Sequence, residues 1–154
     1  MPEVMVAMFL LAITVIGFAG LQVRALSATN QASDRTQAMA IAQDMAERMR
    51  ANRSAVAYTS AWDVSASTAV ACETNTCTVE QMAKYDIRQI SDLAAATLPN
   101  GQIARAQCPN RTNSCIYVSW NTTTPTIGTT ATDCSTSTGL YMSFASDCVI
   151  SEAY

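Results

Sequence analysis

Histidine is absent from the 154 residues, and lysine occurs once, at Lys84. The first absence removes the commonest general base, the usual catalytic triad and most zinc sites. Enzyme chemistry would then need carboxylates, a thiolate, serine with lysine, or a cofactor, and no motif for any of these is present. No catalytic, cofactor-binding or metal-binding residue is therefore expected. Basic side chains are also outnumbered, nine against twelve acidic, for a formal charge of −3. With no basic stripe interleaved with aromatics, nucleic acid is not an expected partner. Two local absences matter as much. No Lys or Arg precedes Val4, and no cysteine occurs before Cys72.

The six cysteines fall into three near pairs, Cys72/Cys77, Cys108/Cys115 and Cys134/Cys148. An even number, clustered in a polar, threonine-rich half, reads as a disulfide framework made in an oxidising compartment. Structural zinc would want Cys-x2-Cys knuckles, and none occurs. Sequential pairing is expected because each partner lies close by in the chain. Such short loops contribute about 2–3 kcal/mol each in the chain-entropy account.

From Val4 to Leu21 the chain reads VMVAMFLLAITVIGFAGL, uncharged, with Thr14 as its one polar side chain. At 1.5 Å per helical residue this covers about 27 Å, close to the hydrocarbon thickness of a bilayer. A signal peptide would carry basic residues before its core and a small-residue cleavage site after it. A buried globular helix would need a larger domain to cover it on all sides. Residues 4–21 are therefore expected to span a membrane or to sit in a bundle of like helices. If the cysteines are oxidised, everything after the segment lies outside the cytoplasm and the N-terminus points inward. The positive-inside rule asks for basic residues before Val4, so removal of a basic leader is expected.

Glu3 stands at the inner edge of this run. Residue physics allows two roles: an interfacial acid in the first turn of its own helix, after Pro2, or the partner of a positive group on a packed neighbour. Beyond Leu21 the helical pattern continues without Pro or Gly to Arg53. Leu21, Ala25, Ala28, Ala32, Met39, Ala42, Ala46 and Met49 trace an expected face, and Asp44–Arg48 an i,i+4 pair on the outer surface. A continuous helix over 1–53 would be roughly 75 Å long, far beyond the usual globular length. Gly17 and Gly20 weaken it by about 1 kcal/mol each relative to alanine and mark a place to bend or locally melt. No GxxxG motif is present to suggest a tight dimer.

Residues 54–154 read as a small α+β head. An apolar pattern over 79–96 predicts a short helix, and Pro99-Asn100-Gly101 a turn. Strand-like runs follow at 102–107, 115–120, 140–145 and 148–153, suggesting an antiparallel meander laid against the amphipathic part of the long helix. The second run alternates as a half-buried strand should. Residues 121–138, rich in threonine, read as a solvated loop held by a Cys134–Cys148 bridge.

Glu3 followed by VMVAMFLLAITVIGFAGLQVRAL resembles the N-terminal half of type IV pilins and of the pseudopilins of type II secretion. RTQAMAIAQDMAERMRANR resembles more narrowly the PilV-type minor pilins. YDIRQISDLAAATLPNGQ and CIYVSWN resemble the family's helix, Leu-Pro-x-Gly turn and following strand. The family's leader, cleavage glycine and first mature residue are not in this chain, and its usual tryptophan before the Leu-Pro turn is replaced by Tyr85 and Ile90.

The resemblance implies a type IV pilin fold: a long N-terminal helix with an apolar first half, on a small antiparallel sheet head. It also implies processing and methylation by a dedicated peptidase, then extraction from the inner membrane into a filament. Glu3 would neutralise a neighbour's N-terminal amine during docking. The implied partners are other minor pilins, the major pilin, the inner-membrane assembly platform and, before assembly, membrane lipid; no cofactor is implied. Minor pilins of this kind prime assembly from a tip or initiation complex. A secretion pseudopilin, a ligand-capturing adhesin or DNA-uptake pilin, and an anchored periplasmic enzyme are the alternatives.

Overall fold

A computed structural model describes residues 2–60, 62, 71–109, 111–136, 138 and 147–153. In chain order they form α1 (Pro2–Ala51), a 3-10 turn (Val56–Tyr58), α2 (Val79–Thr97), β1 (Gln102–Gln107), β2 (Ser114–Ser119), β3 (Thr124–Ile127), β4 (Asp133–Ser135) and β5 (Cys148–Glu152). The chain divides into two compact units, residues 1–34 and 35–154.

The first unit is helix alone. Every described side chain from Pro2 to Ser33 is exposed, including Phe9, Leu11, Ile16 and Phe18. This stretch has an 18-residue window of mean hydropathy 2.6, long and apolar enough to cross a membrane. Its two threonine hydroxyls bond within the helix. Thr14 Oγ1 donates to the Leu11 carbonyl at 2.8 Å and Thr29 Oγ1 to that of Ala25 at 2.9 Å. A threonine satisfied by its own helix is compatible with hydrocarbon.

In the second unit, α1 buries Ala38, Ile41, Ala42, Met45, Ala46 and Met49. Steps of three and four along this list make one stripe of a 3.6-residue helix. Met39 is 42% exposed and does not belong to it. The expected face was drawn at steps near 3.5, which drift around a 3.6-residue helix; its anchor at Ala42, Ala46 and Met49 does not extend back through Met39.

Thr78 begins α2 with a capping box: its Oγ1 accepts from Gln81 N at 3.3 Å, and its own N donates to Gln81 Oε1 at 2.9 Å. The helix ends where Leu98 turns extended before Pro99, which disfavours helical backbone in the residue it follows. A Cβ on Gly101 would stand 2.0 Å from the Ala94 carbonyl oxygen, so only glycine lets the chain turn back this tightly.

The main sheet is antiparallel in the order β1-β2-β5, with Ile103 opposite Val118 and Val118 opposite Val149. One face carries Ile103, Ile116, Val118 and Val149 into a core shared with the α1 stripe and with Ile87, Ile90 and Ala94 of α2. The other carries Cys115 and Tyr117 into a second cluster with Cys108, Cys134 and Cys148. β2 is therefore buried along its whole length, not on one face as its alternation suggested.

The cover on the second face is the threonine-rich segment. It holds β3 and β4, a parallel pair, and β3 lies against β1 and β2. Composition named it a loop, but threonine is β-branched and suits strands, and Pro125 is tolerated in a short peripheral one. The expected strand at 140–145 lies outside the described residues.

Candidate functional site

Glu3 lies in the first turn of α1 with its side chain exposed. Its carboxylate has no ion-pair partner among the described residues. That position suits the positive end of the helix and also leaves the group available to a neighbour. Around Gly17 and Gly20 the helix is unbroken, and a Cβ on either would meet nothing within 4 Å. No contact among the described residues requires glycine at these positions.

The head grips its part of α1 through a polar node, partly buried at Arg48 and fully buried at Tyr58, that no motif announced. Arg48 Nη1 donates to Asp86 Oδ1 at 2.8 Å and to Gln89 Oε1 at 2.6 Å, both on α2. Its Nε donates to Asp44 Oδ1 at 3.1 Å. Tyr58, fully buried after the 3-10 turn, donates its hydroxyl to Asp86 Oδ2 at 2.7 Å. Asn52 adds a bond from Nδ2 to the Val79 carbonyl at 2.9 Å.

The expected Asp44–Arg48 surface pair thus exists, but Arg48 also crosses to α2 and is partly buried. Burial, reinforced by the Asp86 hydrogen bond and charge, pushes the Tyr58 hydroxyl well above the usual tyrosine range. A signal for the node was present. Asp86 falls on the same stripe as Ala83, Ile87 and Ile90, and an acid on an apolar face needs a partner.

The structure pairs Cys72 with Cys77, Cys108 with Cys115 and Cys134 with Cys148, at Cα separations of 5.6, 4.9 and 5.7 Å. These lie within the usual disulfide span. The first closes the loop before α2, and Tyr85 of α2 donates its hydroxyl to Glu73 inside that loop.

The third fastens the threonine-rich cover, whose turn is held by Asp133. Its Oδ1 accepts from Thr126 Oγ1 at 2.5 Å, and its Oδ2 accepts from Thr130 N at 2.8 Å and Thr130 Oγ1 at 2.7 Å. Gly128 makes room, since a Cβ there would stand 2.1 Å from Oδ2. The hydroxyl bonds of Thr126 and Thr130, with the Thr130 amide, hold the Asp133 carboxyl below its ordinary range.

The sign of the linkage follows from that direction. Folding keeps Asp133 ionised where the unfolded chain would be protonated. Its stabilisation is present above the ordinary carboxylate value near 4 and is lost as pH falls through the lower folded value. The Asp133→Asn protein should be less stable at neutral pH and should show a shallower acid loss than the wild type. Denaturation midpoints followed between pH 2 and 7, with amide exchange at Thr130, test this; parallel acid limbs in the two proteins would contradict it.

A shallow, open depression beside the β1–β2 connection is lined by Gln107, Pro109, Arg111, Asn113 and Ile127. Its one cation is already paired, Arg111 Nη1 lying 2.9 Å from Glu152 Oε2. Among the described residues no three His, Cys, Asp or Glu side chains gather as metal ligands.

Residues 20–88 match the family model described as Tt1218-like, type IV pilin Tt1218. The matched stretch takes in α1 from Gly20, the 3-10 turn and α2 as far as Arg88, and so includes Arg48, Tyr58 and Asp86. No curated protein and no solved structure gives a match. The match covers less than half of the chain and shows that this stretch is similar to a type IV pilin family. The exposed apolar part of α1 is long enough to cross a membrane, and the head carries three disulfides.

Proposed function

We propose that this chain is a PilV-type minor pilin. It is inserted once in the inner membrane with its head in the periplasm. It then passes into a type IV pilus, or into the tip or initiation complex that primes polymerisation of the major pilin. Other minor pilins, the major pilin and the assembly platform are the partners this role requires.

One observation carries the reading. A single 50-residue helix serves two environments, exposing apolar side chains through its first part and filling a disulfide-bonded head with its last. Exposed hydrocarbon on that scale needs lipid or like helices as its solvent. A head built on bridges needs an oxidising compartment. Movement between lipid and a bundle of like helices satisfies the first need in both locations.

Glu3 is assigned the pairing with a neighbour's N-terminal amine during docking. Within lipid or a helix bundle, an acid gains from such a partner what water would otherwise supply. Glu3→Ala should abolish incorporation into pili or the priming complex, while leaving the head's disulfides and folding unchanged. Quantifying the protein in sheared pili and in the membrane fraction checks this; normal incorporation of the variant would remove the role from Glu3. A photo-crosslinker at exposed Leu26 should capture pilins of the pilus system. Capture of secretion pseudopilins alone would transfer the chain to that machinery.

A further inference from the structure

The apolar stretch of α1 is bracketed by two isolated charges. Between Glu3 and Asp34 the only ionisable side chain is Arg24. It has no ion-pair partner among the described residues, and Leu21, Val23 and Leu26 beside it are all exposed. An arginine in that setting needs an anion from outside the chain.

We infer that Arg24 binds a phospholipid phosphate at the outer face of the membrane and, with Glu3 at the inner face, fixes the depth at which α1 sits. The inference rests on the membrane reading given above and adds a residue and a ligand chemistry to it.

Spacing supports this assignment. Glu3 and Arg24 are separated by about 32 Å along the helix at 1.5 Å per residue, against a hydrocarbon core of about 30 Å. Centred on residues 4–21, that core would end roughly 2 Å short of the Arg24 Cα. From that position, just outside the hydrocarbon, the flexible stem needs only to extend outward for the guanidinium to reach the phosphate layer. Its planar fork matches a phosphate in two parallel hydrogen bonds, which an ammonium cannot reproduce.

The rival anion is Glu3 of a second copy. Bringing that carboxylate to Arg24 requires the copies to be offset by about 32 Å. The apolar run of one copy would then lie along residues 25–42 of the other, opposite Asn30, Gln31, Asp34, Arg35 and Gln37. Lipid imposes no such mismatch, because it meets the helix with hydrocarbon through residues 4–21 and phosphate just beyond.

The test uses the full-length protein in vesicles of phosphatidylethanolamine and phosphatidylglycerol. All six cysteines are bonded, so a cysteine placed at Ile13 is the single thiol for a depth-reporting spin label. Solid-state NMR then reads dephasing of labelled arginine guanidinium by lipid phosphorus. A dephased signal in the wild type, lost in Arg24→Gln while the Ile13 label stays in hydrocarbon, supports the inference. Arg24→Lys should remove the guanidinium signal and shift the label inward or outward, since a point charge fixes depth less well.

Equal dephasing in wild type and Arg24→Gln, with the label still in hydrocarbon, overturns the phosphate role alone. So would a cross-link in vesicles joining position 24 to Glu3 of a second copy. A label at Ile13 reached by water-soluble relaxers would overturn the membrane reading itself.

Discussion

Asp86→Ala is expected to destabilise the head by about 2–4 kcal/mol, near the range for removing one partner of a buried ion pair. The variant would leave two donors without their acceptor: the Arg48 guanidinium and the hydroxyl of fully buried Tyr58. An orphaned buried hydroxyl costs about 1–3 kcal/mol. Arg48 is partly exposed and keeps Asp44, which holds the total below the full buried-pair figure. Asp86→Asn retains an acceptor but no charge and should fall between. Denaturant titration of the full-length protein in detergent, followed by the fluorescence of Trp62 and Trp120, reads the loss. A change within about 0.5 kcal/mol, the scale of an ordinary surface substitution, would show that the node contributes little.

Alkaline titration supplies a second readout of the same node. The folded protein holds the Tyr58 proton far above pH 10, where the unfolded chain releases it. The stability tied to that proton is fully present below about pH 10 and falls as pH rises beyond it. Tyr58→Phe should remove this part of the alkaline limb. A double-mutant cycle between Tyr58→Phe and Asp86→Asn should show coupling of about 0.5–3 kcal/mol, the range for residues sharing one network. Because Asp86 also accepts from Arg48 of α1, such coupling would show that the buried carboxylate ties the 3-10 turn and α2 into one network with α1.

What could be read before folding divides along a physical line. Local rules carried the long helix, α2, the Leu98–Gly101 turn and β1. Each depends on neighbours within a few residues: apolar period, the proline after Leu98, and the glycine at 101. What composition could not supply was the identity of a segment's cover. β2 looked half-buried because its alternation is Ile116, Val118 and Trp120 against Tyr117 and Ser119, and nothing local says that β3 and β4 lie on the second set. The error over residues 121–138 is the same one seen from the other side. Arg48 was placed on the surface because its i,i+4 partner is visible in sequence, whereas Asp86 is 38 residues away. For the candidate site, Glu3 and the apolar run stand out as a charge and an absence of charge; the node does not, since its meaning lies in tertiary contact.

Removing Cys134 and Cys148 together, as alanines, should cost more stability than removing either other bridge. In the chain-entropy account a bridge of sequence separation 14 restricts the unfolded chain by about 3 kcal/mol, against roughly 2 for separations of 7 and 5. Burial acts in the same direction. Cys134 and Cys148 are fully buried in the second cluster, whereas Cys72 and Cys77 are half-buried beside an exposed loop; Cys108 and Cys115 are nearly as buried, so against that bridge the ranking rests on loop length. Truncating two such side chains adds a cavity under the cover, so a total near 3–5 kcal/mol is expected.

The bridge also makes the cover and β5 one piece. Its loss should raise amide exchange selectively across 124–135 and expose Tyr117, while α1 and α2 stay protected until global unfolding. Three paired alanine variants, compared under oxidising conditions, make the test. If either the Cys72–Cys77 or the Cys108–Cys115 variant proved the least stable of the three, the ranking would fail. Uniform exchange across the head in the Cys134–Cys148 variant would show that the threonine-rich segment is part of the central folding unit and not a cover fastened onto it.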